Sequence, residues 1–175
     1  AIHAISKRPK NKGSSHEIDL KKLREVVVKY KVGSILSIVD GAYTVEHWHQ
    51  IIETIQNVST KETRLGIPII YGVDAVHGAN YTIGATLFPQ SIGMAATFNP
   101  DLVKEEGAIT AFELRACGIP WNFNPVLDIG RHPLWPRLWE TYGEDPYLTS
   151  VMGIAHIKGL EGEKNHLKIN SSNTI

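Results

Sequence analysis

Asp74 opens the run Asp74-Ala75-Val76-His77-Gly78, directly after the apolar stretch Ile67-Pro68-Ile69-Ile70-Tyr71-Gly72-Val73. If that stretch is a strand, Asp74 sits at its C-terminal tip. A carboxylate there can accept two hydrogen bonds from a diol, and such charge-assisted bonds are about twice as strong as neutral ones. The alternative is that Asp74 caps a nearby helix or turn.

A second constellation runs from Asp128 to Asp145 and contains Arg131, His132, Trp135, Arg137, Trp139, Glu140 and Glu144. Arginine offers a fixed fork of donors to hydroxyls or carboxylates, and tryptophan a flat apolar face on which the C–H surface of a sugar can lie. The competing reading is a rigid loop in which Trp135 and Trp139 anchor packing and Arg137 pairs with Glu140. Of the eight histidines, His47, His49 and His77 draw notice. His47 and His49 are two apart on a helical stretch, so they point to different faces and chelate poorly. His77 is better suited to ordering the loop beneath Asp74 than to binding metal. No His/Cys spacing fits a zinc site, and the lone Cys117 cannot form an intramolecular disulfide. No metal and no cofactor is called for.

The elements that must carry these residues follow from hydrophobic period. Leu20, Leu23, Val27 and Tyr30 share one helical face, and residues 32–39 read as the first strand. Val45, Trp48, Ile52 and Ile55 stripe the next helix, and residues 67–73 fit a strand buried on both faces. Asn99, Pro100, Asp101 and Gly118 punctuate a third helix, whose turns Leu102, Glu106, Ile109, Glu113 and Ala116 trace, with Phe112 on its inner face. Residues 119–123 make the third strand. A fourth helix opens at Asp145-Pro146, with Leu148, Met152, Ala155 and Leu160 inward.

Strands alternating with helices predict parallel pairing and the α/β class. The connections 74–98 and 124–144 are too long for plain βα turns, which favours a (β/α)₈ TIM-type barrel with its chemistry on such loops over an open doubly wound sheet. A whole barrel takes around 250 residues. The 175 residues here therefore read as roughly its first three strand–helix units. Residues 1–16 read as a flexible lead-in or processed arm, 17–162 as the N-terminal part of the barrel around a single core, and 163–175 as a polar tail.

With 18 basic and 18 acidic side chains, 42% hydrophobic and 21% charged residues, the composition is globular and carries no field that would gather nucleic acid, an anionic membrane or polyanions. An uncharged or small ligand is expected. No apolar run approaches the roughly 20 residues of a membrane span, and the start shows neither Met nor a signal core. That start implies a removed leader or an excised fragment.

The segments Ile67 to Gly78, Gly84-Ala85-Thr86-Leu87-Phe88-Pro89-Gln90 and Leu134-Trp135-Pro136-Arg137-Leu138-Trp139-Glu140-Thr141-Tyr142-Gly143-Glu144-Asp145-Pro146 resemble family 3 of the glycoside hydrolases, over roughly residues 17 to 162. The resemblance implies a barrel followed by a second α/β domain, and cleavage of β-linked glucosides with retention. It implies that Asp74 and Arg137 bind the sugar in the minus-one subsite. Asp74-Ala75-Val76-His77-Gly78 favours the glucosidase branch over the β-N-acetylglucosaminidase branch, which reads Asp-Gln-Glu-Gly-Gly there. Mature members of this type are mostly periplasmic or secreted.

The pattern breaks where catalysis resides. The family's Lys-His pair has no match, since Lys164-Asn165-His166 has the wrong spacing, and neither nucleophile nor acid/base is found in the 175 residues. Retention needs two carboxyl groups about 5–5.5 Å apart. Asp74 and Asp128 end adjacent strands, about 4.8 Å apart by sheet geometry, yet the resemblance makes Asp74 a hydroxyl acceptor. The isolated chain is therefore expected to be inactive. Two other readings stand: a non-catalytic sugar-binding or scaffold module derived from the barrel, and a small α/β hydrolase of another family using Asp128 or Glu140. Three strands would also leave Ile35, Ile69, Tyr71 or Trp121 uncovered and an edge open to self-association, or to the missing part of the barrel.

Overall fold

The computed structural model describes residues 2–7, 16–37 and 41–162. They fall into two compact units rather than around one core. Ala1–Ala75, Ala79–Ala85 and Glu113–Asn124 form the first, and Val76–Gly78, Thr86–Phe112 and Pro125–Ile175 the second. The division has a packing basis, because the buried apolar residues form two separate clusters.

The first unit holds a three-stranded parallel sheet, ordered β1 (Ser34–Leu36), β2 (Ile70–Val73), β3 (Trp121–Asn122). Ile35 pairs with Tyr71, and Val73 with Asn122. The strands are shorter than the apolar runs that announce them. At β2 the cause is visible: the Gln56 amide donates to Ile69 O at 2.8 Å and accepts from Ile69 N at 3.0 Å, so Ile69 is bonded outside the ladder. Pro68 before it has no N–H to give.

Helix α1 (Leu20–Arg24) starts at Asp19, whose carboxylate accepts from Lys21 N and Lys22 N. It continues as a π-helical turn, Glu25–Lys29, closed by Tyr30 N donating to Glu25 O. The extra residue in that turn breaks the 3.6-residue stripe. Leu23 and Val27 are buried as expected, whereas Leu20 and Tyr30 are exposed. Helix α2 (Val45–Lys61) is capped by Thr44 and buries Trp48, Ile51, Ile55 and Val58, so Ile51 replaces Ile52 at the centre of the stripe.

Trp48 packs edge-on against Tyr71 at 5.8 Å and donates to Tyr81 O at 3.1 Å. With this cover, Ile35, Ile69 and Tyr71 are buried within the unit, contrary to the expectation for an open barrel segment; Trp121 is exposed. Residues 2–7 are not a loose arm either. Ile2 and Ile5, three apart on a 3₁₀ turn, are fully buried, and Ser6 bridges Ile18. The expected tail, 163–175, lies outside the described residues, as do residues 8–15.

In the second unit lie α3 (Ser91–Ala95), most of α4 (Pro100–Ala116) and α5 (Pro146–Glu161). The expected start signals hold. Asn99 Oδ1 accepts from Asp101 N, and Asp145 Oδ1 from Tyr147 N and Leu148 N. The inner face of α4 differs from expectation: Phe112 is 74% exposed and Leu102 is exposed, while Val103, Glu106, Gly107 and Thr110 are buried. Two glycines decide this. A Cβ on Gly107 would lie 2.6 Å from His156 O, and one on Gly159 would lie 2.1 Å from Lys104 O. The helices thus meet backbone to backbone, on the face that carries Glu106 rather than Phe112.

Candidate functional site

Asp74 directly follows β2 in the first unit and is half-buried. Its neighbours on both sides, Val73 and Ala75, are fully buried. Val73 O accepts from Phe123 N at 3.0 Å, the last main-chain bond in this pair of strands. Beyond it a side chain takes over. Asn122 Oδ1 accepts from Ala75 N at 3.0 Å and Asn122 Nδ2 donates to Ala75 O at 3.3 Å.

The other strand tip is tied in the same way. Tyr71 Oη donates to Ser37 O at 2.6 Å, and Ser37 N donates to Gly72 O at 3.0 Å. Burial raises the Tyr71 phenol well above its usual range, so it remains a donor. Ser37 has φ +73°, a left-handed conformation that non-glycine residues seldom adopt. Gly72 is required where it stands, since a Cβ there would lie 2.6 Å from the Phe123 ring. Phe123 and Trp121 pack edge to face at 4.6 Å.

His77 and Gly78 belong to the second unit. His77 orders its loop: Nδ1 lies 3.2 Å from Phe88 O, and Phe88 N donates to His77 O at 3.0 Å. Gly78 has φ +102° and leaves no room for a Cβ, which would fall 2.2 Å from Thr86 O.

Arg137 is also in the second unit, on an exposed loop. Its Nε donates to Glu140 Oε2 at 2.8 Å across the 3₁₀ turn Leu138–Glu140, which is the internal ion pair weighed from composition. The loop closes on itself: Gly130 N donates to Gly143 O, and Thr141 Oγ1 donates to Leu138 O while accepting from Gly143 N. Asp128 is exposed, as are Leu134 and Trp139, while Trp135 is half-buried. Among the described residues no three His, Cys, Asp or Glu side chains are grouped to hold a metal ion.

Two arrangements escaped the sequence reading. One is the Asn122 clamp, whose only signal is a polar residue interrupting the strand run Ile119-Pro120-Trp121-Asn122-Phe123. The other is a buried polar cluster in the second unit. Burial pushes the Glu106 carboxyl up to about 7 and the His156 imidazole down to about 4, so His156 is neutral near pH 7. Tyr142 Oη and His156 Nδ1 share a hydrogen bond of 3.0 Å, and Glu106 Oε2 lies 3.9 Å from that nitrogen. No apolar stripe announces this cluster, since Glu106 is a charged residue on a helix whose inner face is expected at Phe112.

Comparison with known proteins gives this geometry its context. The profile of the glycosyl hydrolase family 3 N terminal domain matches residues 14–172. The lysosomal beta glucosidase of Dictyostelium discoideum is 47% identical over 144 residues, 78% of this chain and 18% of that protein. The periplasmic beta-glucosidase of Salmonella typhimurium is 35% identical over 141 residues, 81% of this chain and 17% of that protein. The crystal structure of a beta-glucosidase from Listeria innocua in complex with glucose matches with a TM-score of 0.62 and 32% identity, covering 75% of this chain and 16% of its own. The chain thus spans less than a fifth of the length of these relatives. It belongs to glycosyl hydrolase family 3, within the N-terminal domain of that family.

Proposed function

We propose that this chain is the glycone-binding part of a retaining β-glucosidase, with Asp74 and Arg137 accepting from and donating to the hydroxyls of the sugar. On this reading β1, β2 and β3 are the first three strands of a (β/α)₈ barrel. The observation that carries it is a carboxylate at the C-terminal end of a parallel strand, framed by buried residues on both sides. That is the end at which barrel enzymes gather their chemistry. The family membership, and a relative that binds glucose, supply the substrate class.

The nucleophile and the acid/base lie outside these 175 residues on this reading, so the segment by itself binds sugar without turning over an aryl β-glucoside. Relatives named as lysosomal and periplasmic favour an exported enzyme. No described helix is long and apolar enough to cross a membrane.

Glucose titration of the protein with Asp74→Ala and with Arg137→Ala tests the assignment. Each substitution should weaken glucose by tenfold or more, since a charged hydrogen-bond partner contributes about 1.5–3 kcal/mol. Unchanged affinity in both variants would remove these residues from the sugar site. Sugar binding without turnover in a chain extended to the length of the relatives would point to a non-catalytic module.

A further inference from the structure

We infer that Asn122 is the positioning residue for Asp74, holding the carboxylate in place through the peptide that follows it. The inference rests on the reading of Asp74 as a sugar ligand. Backbone pairing between β2 and β3 ends with Phe123 N bonded to Val73 O. Ala75, two residues on, is fully buried, so its N–H and C=O need protein partners. One side chain serves both: Asn122 Oδ1 takes the N–H at 3.0 Å and Asn122 Nδ2 supplies the C=O at 3.3 Å. The amide thus stands where the next peptide of a neighbouring strand would stand. Its oxygen is held from its own side too, by Asn124 N at 3.3 Å.

Asp74 is consequently strung between two tethered residues, Val73 by the ladder and Ala75 by Asn122. Its backbone has little freedom left, which fixes the position and direction of the Cα–Cβ bond that carries the carboxylate. Releasing Ala75 would let the Asp74–Ala75 peptide rotate. Displacements of about 1 Å at a positioned group can lower rates as much as a hundredfold. Asparagine is the residue whose amide fits the task. Aspartate keeps the acceptor but offers no donor to Ala75 O, alanine keeps neither, and glutamine is one methylene too long.

The test is a thermodynamic cycle on the whole protein, including any sequence that flanks residues 1–175, with glucose affinity measured by calorimetry. Asn122→Ala should weaken glucose about tenfold when Asp74 is present, the scale of one or two lost hydrogen bonds. In an Asp74→Ala background the same substitution should change affinity by less than about twofold, because the group it positions is gone. Asn122→Asp, which keeps the bond from Ala75 N, should fall between wild type and Asn122→Ala; it carries the cycle alone if the alanine variant does not fold. An equal loss with and without Asp74 would show a merely structural role and overturn the inference. So would wild-type affinity in both Asn122 variants. If Asp74→Ala leaves glucose affinity unchanged, the reading of Asp74 as a ligand fails first; if that variant weakens glucose and the Asn122 variants do not, the positioning role alone fails.

Discussion

The two units hold their candidate sugar ligands by opposite means. In the first, Asp74 is fixed by a buried frame in which the strand tips are cross-tied by Tyr71 to Ser37 and by Asn122 to Ala75. In the second, Arg137 stands on an exposed loop, and its ion pair with Glu140 is three residues away in sequence. A frame made of long-range bonds presents a group in one direction. A local ion pair in water lets its members exchange partners at little cost. The comparison teaches that the backbone at Asp74 is held by partners distant in sequence, whereas the ion pair of Arg137 with Glu140 is local to its own loop.

The largest effect should come from breaking the frame at its base. Trp48→Ala removes the fully buried indole that covers Tyr71 and takes from Tyr81 O one of its two donors, leaving Tyr43 N. A loss of about 3–5 kcal/mol is expected from the cavity and the lost contacts. Urea denaturation would measure it, and a loss below about 1 kcal/mol would mean that α2 does not carry the sheet.

A smaller, pH-dependent effect belongs to the second unit. The Glu106 carboxyl rises from 4.5 to about 7 on folding, so its neutral form contributes stability that is present below pH 4.5 and lost as pH rises through 7. The His156 imidazole falls from 6.5 to about 4, so its contribution is present above pH 6.5 and lost as pH falls through 4. Between about pH 4.5 and 6.5 the two slopes oppose each other. Glu106→Gln should therefore expose the histidine alone, with stability rising toward neutral pH by on the order of 1 kcal/mol per unit. His156→Gln should reverse the sign of the slope. Parallel profiles for wild type and both variants, followed by denaturation from pH 4 to 7, would show that neither group titrates as its burial implies.

The smallest effect should come from the surface pair. Glu140→Gln is expected to shift stability by less than about 1 kcal/mol, because Arg137 is half exposed and its partner is not deeply buried. Thermal melting at low and high salt would check this. A larger, salt-insensitive loss would show that the loop depends on the pair, and that Arg137 is held as firmly as Asp74.

What the sequence determined by itself was local. The order of helices and parallel strands, the caps at Asn99 and Asp145, and the place of Asp74 just past β2 all follow from signals spanning a few residues. Only the tertiary structure decided the rest. Ala75 and Asn122 are 47 residues apart, and no hydrophobic period says that an amide in one strand will finish the ladder of another. The glycine contact between α4 and α5 turns Phe112 outward and Glu106 inward, which a stripe of apolar residues read on one helix does not register. Ile2 and Ile5 looked like part of a polar arm because the residues after them are charged, yet the first core had room for both. Each case has the same physical reason: burial is settled by what an element packs against, and that partner lies far along the chain.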